Sequence, residues 1–316
     1  MLHLTVTAPA DDADRVVALL RSSDVASSIV RQVGAVERPA GDVVEADVPR
    51  EAVDALLASL LELGVHRTGT VKVDAVETWI SRRGHDDERR APGDASDAVV
   101  WAQIVQRSYE DSRVTGSQLA FFVLATLIAA IAIVLDSQIL TIGAMVLGPE
   151  FGAVAALGVA LVGRRPGLLG MALRGLAIGF GVAIAATTLL ALVARAFGWI
   201  GVADVAIRED TAFIYRPDGW SVVVAIVAAI AGVIAIASSR SGGLSGVFIS
   251  VTTIPAAGNI ALALAFGLWD EVAGSLAQLG VNLVAMAVAG WLTLLVIRGR
   301  RRRSGRMAAA PSSSAP

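Results

Sequence analysis

A glutamate inside an otherwise apolar stretch is the residue of this chain best placed to do chemistry. Residues Ile139–Gly163 are apolar apart from a break at Gly148-Pro149-Glu150-Phe151-Gly152. A charged side chain near the centre of a bilayer costs about 3 kcal/mol or more, and is normally kept where it faces a bundle interior or water. There Glu150 could carry a proton, or hold a cation together with carbonyls freed by the break. A second apolar stretch, Gly242–Gly267, is broken at Thr252-Thr253-Ile254-Pro255-Ala256-Ala257-Gly258-Asn259. Ser250, Thr252, Thr253 and Asn259 bring hydroxyl and amide groups to it. They either satisfy freed backbone groups or complete a polar site facing Glu150. Both breaks have the spacing Pro-x-x-Gly, Pro149 with Gly152 and Pro255 with Gly258. Proline removes a backbone donor and clashes with the preceding turn. Hydrocarbon cannot replace the lost bonds, so protein or a water-filled cavity must surround such a break. Paired interruptions in two halves of a chain point to a binding site near mid-membrane. The candidate ligand-binding set is Gly148, Pro149, Glu150, Gly152, Ser250, Thr252, Thr253, Pro255, Gly258 and Asn259.

Other chemistry has little support. The chain has no cysteine, which excludes disulfides, thiolate metal sites and cysteine nucleophiles. Its three histidines, His3, His66 and His85, lie outside the apolar half without metal-ligand spacing. No nucleophile elbow, phosphate loop or zinc-protease motif occurs. An intramembrane serine nucleophile would lack a lysine or histidine base. The expectation is a non-enzyme without cofactor or metal. Asn282 and Gln278 read as hydrogen-bonding links between helices. Asp136 reads as a solvated turn residue, and Arg174 and Arg195 as side chains that snorkel from the ends of their span. Gly175-x-x-x-Gly179 and Gly242-x-x-x-Gly246 permit close helix contact.

The elements that must position these residues follow from composition. The chain of 316 residues is 55% hydrophobic and 17% charged, with a mean hydropathy of +0.68. Apolar runs after about Gly116 predict six crossings of about 20 residues each, near 117–135, 138–163, 167–197, 220–239, 243–268 and 272–297. Arg107, Arg113, Arg164, Arg165, Arg240 and the cluster from Arg298 to Arg306 fall on one side, which places both termini in the cytoplasm. That terminal cluster directly follows an apolar span, so it reads as a membrane-surface anchor and not as a nucleic-acid site. The implied partners are the lipid bilayer and a small solute or ion, and a homo-oligomer is compatible with the sequence. Three spans per half would insert the second half inverted, with Pro149 aligned to Pro255 and Gly152 to Gly258.

Residues 1–78 predict a small cytoplasmic domain of order β-α-β-β-α-β, the ferredoxin-like or ACT-like pattern. Leu2–Thr7, Ser28–Val33, Val44–Val48 and Val71–Ala75 are its strands. Residues 79–116 form a charged linker, Thr78–Asp97 being its exposed part, and an amphipathic helix over Ala98–Ser112. That helix suits the headgroup level, or a lever between domain and membrane. The transmembrane part is 117–298, and 299–316 is a basic, then disordered, tail.

The stretch Leu135-Asp136-Ser137-Gln138-Ile139-Leu140-Thr141-Ile142-Gly143-Ala144-Met145-Val146-Leu147-Gly148-Pro149-Glu150-Phe151-Gly152 resembles the signature of the DUF389 family. Gly246–Asn259 is similar to its second motif, and the resemblance covers about residues 98–297. It implies a bacterial multi-pass membrane protein and names no substrate. The likeness departs at Glu150, where the family pattern carries an apolar residue. The whole predicts an α-helical transmembrane bundle with two broken helices, joined to an α/β domain. The expected function is that of a transporter or channel regulated by the N-terminal domain. The alternative is a membrane-anchored sensor or scaffold without transport.

Overall fold

A computed structural model describes residues 1–76, 78, 80–82, 86, 100–206, 208, 210–211, 214, 219–237 and 253–308, with side chains as far as Gly299. The chain divides into two compact units: Met1–Gln103 with the C-terminal segment from Arg300, and Ile104–Gly299.

In the first unit, strict alternation makes one face of each central strand apolar. Strands β1 (Leu2–Ala8), β2 (Ser27–Glu37), β3 (Ala40–Val48) and β4 (Thr70–Ala75) form one antiparallel sheet in the order β2-β3-β1-β4. Helices α1 (Ala10–Ser22) and α2 (Val53–Glu62) close over it, with the short α3 (Val65–Thr68) leading into β4. Leu2, Leu4, Val6, Val44, Ala46 and Val48 meet Val16, Leu20, Val53, Leu56 and Leu60 in the core. Each fully buried Leu or Val contributes about 1.5–3 kcal/mol. The four strands lie over the stretches where the alternation puts them, with β3 beginning at Ala40, four residues before the expected Val44. β2 runs four residues further than expected, to Glu37, because it pairs along the whole β3 hairpin with two register shifts. Buried Asp42 secures that hairpin by accepting from the Gly34 N–H at 2.8 Å and from Arg31 Nε at 2.8 Å. These donors hold its carboxyl below the usual aspartate range.

The second unit is helical. The boundary between the units falls within α4 (Trp101–Asp111), a shorter helix than the expected 98–112. There follow α5 (Gly116–Val134), α6 (Gln138–Leu147), α7 (Glu150–Gly163), α8 (Pro166–Ala196), the short α9 (Val202–Ala206), α10 (Gly219–Ala237), α11 (Thr253–Phe266) and α12 (Trp269–Ala308). α12 continues as helix through the basic residues expected to begin a tail.

Among the described residues, four helices are long and apolar enough to cross a membrane: α5, α8, α10 and Trp269–Gly299 of α12. α6 and α7 pass the same test as a pair bent by 55°, which makes five. Of the expected crossing at 243–268, only the part from Thr253 is described, and α11 has 14 residues. At 1.5 Å per residue α7 and α11 are each about 21 Å long, short of a hydrocarbon core of about 30 Å. Both are buried on nearly all sides. The long helices instead expose leucine, isoleucine and valine outward, such as Leu189, Val227 and Val284, the surface that lipid requires.

The helices repeat. α5, α7 and α8 have counterparts in α10, α11 and α12, and the first two pairs match in length, at 19 and 14 residues. Each member of the second set begins 103 residues after its counterpart, the separation of Glu150 and Thr253. The turns after the two short helices match as well. Arg164 and Gly267 both have positive φ, 52° and 72°. Arg165 N–H donates to Ala160 O, and Leu268 N–H to Ala263 O, each at 2.9 Å. This helix ending suits glycine best, and Arg164 adopts it with a side chain. The Pro149–Pro255 alignment is therefore corrected by three residues. Pro149 is the N-cap of α7, whereas Pro255 lies in the first turn of α11. A proline there removes only a donor that has no partner inside the helix.

A bonded pair of interrupted helices

Glu150 is the first residue of α7 and Thr253 the first of α11. Both are fully buried, and Thr253 Oγ1 donates to Glu150 Oε1 at 2.5 Å. The bend at Gly148-Pro149 thus delivers a carboxyl group to the start of the other short helix. Both helices present N-terminal N–H groups here, whose partial positive charge favours an acidic oxygen.

The small residues let this happen. A Cβ on Gly258 would lie 2.9 Å from Ala129 Cβ and 3.0 Å from Ala130 N on α5. A Cβ on Gly158 of α7 would lie 3.1 Å from Trp291 N on α12. The short helix of each set therefore touches a long helix of the other. A Cβ on Gly179 would fall 2.6 Å from the Phe122 ring, and one on Gly175 3.0 Å from Ser112 O, so this Gly-x-x-x-Gly pair serves close packing. Gly242 and Gly246 lie outside the described residues.

Gly152 faces α4. A Cβ there would meet the Asp111 side chain at 2.6 Å. Asp111 is accordingly half-buried, and that burial pushes its carboxyl up, against Arg107 and with Glu110. The end of α4 therefore packs on the first turn of α7, two residues from Glu150.

Asn259 does not face Glu150. Its Oδ1 accepts from Arg208 Nη1 at 2.7 Å, and its Nδ2 donates to Ser275 Oγ at 2.8 Å and to Glu271 Oε2 at 3.2 Å. Arg208 Nη2 also bonds Glu271. Asp136 is likewise engaged, accepting from Thr211 N at 2.9 Å and Thr211 Oγ1 at 2.7 Å, where the sequence suggested a solvated turn. Arg208 and Thr211 are thereby held at the end of the bundle where Phe197, Trp199, Trp220 and Trp269 are exposed. Aromatic residues gather at membrane–water interfaces.

Among the predicted site residues, Gly148, Pro149, Glu150 and Thr253 come together, with Gly152 and Pro255 in the adjoining first turns. Gly258 and Asn259 lie further along α11, and Ser250 and Thr252 lie outside the described residues. Gln278 and Asn282 are buried on α12, but among the described residues Gln278 Oε1 and both polar atoms of Asn282 have no hydrogen-bond partner. The interhelical link expected through these atoms is not made there. Arg195 does not simply snorkel: its Nη1 donates to Ala265 O at 2.6 Å, and its guanidinium lies 5.1 Å from the Phe266 ring centre. Arg208 and Glu271 lie outside the candidate set, and a pair 63 residues apart leaves no local signal in the sequence.

Several apolar helices around a buried polar centre define the class, a multi-helix protein of membrane composition. Within it, residues 145–288 match the family model described as Domain of unknown function (DUF389), the family that the sequence motifs resemble. No curated protein and no solved structure matches the chain.

Proposed function

We propose that the protein is a transporter or channel for a small cation, with Glu150 as its binding or coupling carboxylate. The observation that carries this reading is the hydrogen bond from Thr253 to Glu150, which joins the starts of two interrupted helices inside an apolar bundle. An anchor or scaffold needs neither interruption, and a buried carboxyl group costs it stability.

The common offset, with equal lengths in two of the three helix pairs, supports two structurally related halves, and three passes per half would invert the second. The arginines at one end, Arg164, Arg165 and Arg298, mark the cytoplasmic side of a bacterial plasma membrane under the positive-inside rule. The first unit is read as a ferredoxin-like regulator, supported by its strand order. Its signal would pass along α4, whose Asp111 rests on Gly152, two residues from Glu150. Binding and conduction, rather than catalysis, are the activities assigned.

Thermal unfolding of the full chain beside Glu150→Gln tests the reading, in panels of sodium, potassium, magnesium and pH. A ligand that binds only the folded state raises its stability. The glutamine amide keeps an oxygen that can accept from Thr253, so the fold survives the change. A cation that stabilises the wild type but not Glu150→Gln supports the reading. Equal stabilisation of both by every cation counts against it.

A further inference from the structure

We infer that the buried face of α12 lines a hydrated path for a small monovalent cation, running from Arg208 to the depth of Glu150. This deepens the reading of Glu150 as a mid-membrane site and rests on it.

Glu271, Ser275, Gln278 and Asn282 are spaced i, i+4, i+7 and i+11, one face of a helix. Ser275, Gln278 and Asn282 are 0%, 2% and 0% exposed. Further along the same face the residues turn apolar, with Met286, Ala289 and Leu294 buried. The polar face therefore occupies only the half of the helix nearer Arg208.

Its depth follows from register. Asn259 bonds Ser275, which fixes α11 beside α12. From Asn259 back to Thr253 is six residues, about 9 Å; from Ser275 on to Asn282 is seven, about 10.5 Å. The two helices run in opposite directions through the turn at Gly267-Leu268, so both steps lead inward and end at a common depth. That depth is the depth of Glu150, to which Thr253 is bonded.

The end of this face is unfinished chemically. Among the described residues, Gln278 Oε1 and both polar atoms of Asn282 make no hydrogen bond to the protein. Leaving such a buried group unpaired costs about 1–3 kcal/mol, and buried water is what usually completes it. The lining offers carboxylate oxygens at both ends, with a hydroxyl and amide oxygens between them. Oxygen donors of this kind suit an alkali ion or hydronium. Arg208 sits at the outer end, bonded to Asn259 and Glu271, a tethered cation where a mobile one would enter.

The absence of native cysteine makes the test direct. Single variants Asn282→Cys and Gln278→Cys, with Ala289→Cys as comparison, are placed in the full chain in sealed membrane vesicles. A charged, membrane-impermeant methanethiosulfonate is applied from either side, in sodium, potassium or a bulky organic cation, at two pH values. The path predicts labelling from the Arg208 side, about tenfold faster at residues 278 and 282 than at 289, the scale set by one unmade buried hydrogen bond. Arg208→Ala should accelerate it further. Slowing by an alkali ion assigns that ion, and slowing by acid beyond that of the Ala289→Cys comparison, which corrects for the loss of thiolate, assigns hydronium. No labelling at either position, with or without Arg208, overturns the path, as does labelling only from the opposite side. Labelling needs no transport, so this failure is separate from failure of the Glu150 reading.

Discussion

Arg195 and Arg298 make the same bond in two places. Arg195 Nη1 donates to Ala265 O at 2.6 Å and Arg298 Nη1 to Val162 O at 2.8 Å, and both donors and both acceptors keep the 103-residue spacing of Glu150 and Thr253. Arg195 lies in the last turn of α8 and Arg298 at the end of the apolar run of α12, and each caps the C-terminal turn of the other set's short helix. A cation there satisfies a free carbonyl and complements the negative end of the helix dipole. The N-termini of the same two short helices meet at Glu150. Each short helix is thus held at both ends by the opposite set.

Removing either cap should loosen this exchange. Hydrogen bonds to charged groups are worth about 1.5–3 kcal/mol. Arg195→Ala and Arg298→Ala should each lower the melting temperature of purified protein. Arg195→Ala should cost more, because its guanidinium also lies over the Phe266 ring. An unchanged melting temperature in both variants would remove the capping role.

Close approach of α11 to α5 should be equally sensitive at one atom. Gly258→Ala places a methyl group 2.9 Å from Ala129 Cβ and 3.0 Å from a backbone nitrogen. Overpacking of this kind costs about 1–3 kcal/mol. Gly280→Ala, on the exposed face of α12 with nothing within 4 Å, should be neutral or stabilising, since alanine favours helix by about 1 kcal/mol. Thermal unfolding of the two variants side by side checks the contrast.

Docking of α4 should depend on pH. Burial raises the Asp111 carboxyl above its ordinary value. The docked state therefore holds the proton more tightly than the undocked one, so docking strengthens as pH falls and weakens as pH rises through that raised range. Asp111→Asn should remain docked at every pH, and Gly152→Ala should release α4 at every pH. Hydrogen exchange of the amides of α4, followed across pH, measures this. Protection relative to the intrinsic exchange rate that stays the same at every pH in the wild type would contradict it.

Much of this arrangement is legible in the sequence, and the parts that are not have a common cause. Glu150 stands out because a carboxylate in an apolar run is costly, and Thr253 because it lies beside the second interruption. The sheet of the first unit is legible because alternation sets each strand's buried face directly. The register between the two halves is hidden. Proline marks an interruption but not its position in the helix, and Pro255 lies in a first turn while Pro149 precedes one. Side chains that pair over long separations leave no local trace. Arg208 looks like a loop arginine until Asn259 and Glu271 surround it, 51 and 63 residues away. Asn282 and Gln278 look like links between helices because sequence reveals a polar group but not whether it finds a partner.

The most direct measurement is cation flux into proteoliposomes holding wild type or Glu150→Gln, driven by a sodium, potassium or proton gradient and followed with an ion-sensitive dye. The substituted amide keeps the acceptor for Thr253 but cannot ionise, so the bundle should assemble unchanged. Flux in the wild type above protein-free liposomes, lost in the folded variant, is the predicted result. Equal flux in both proteins, or none from the wild type under any of the three gradients, would contradict the role assigned to Glu150.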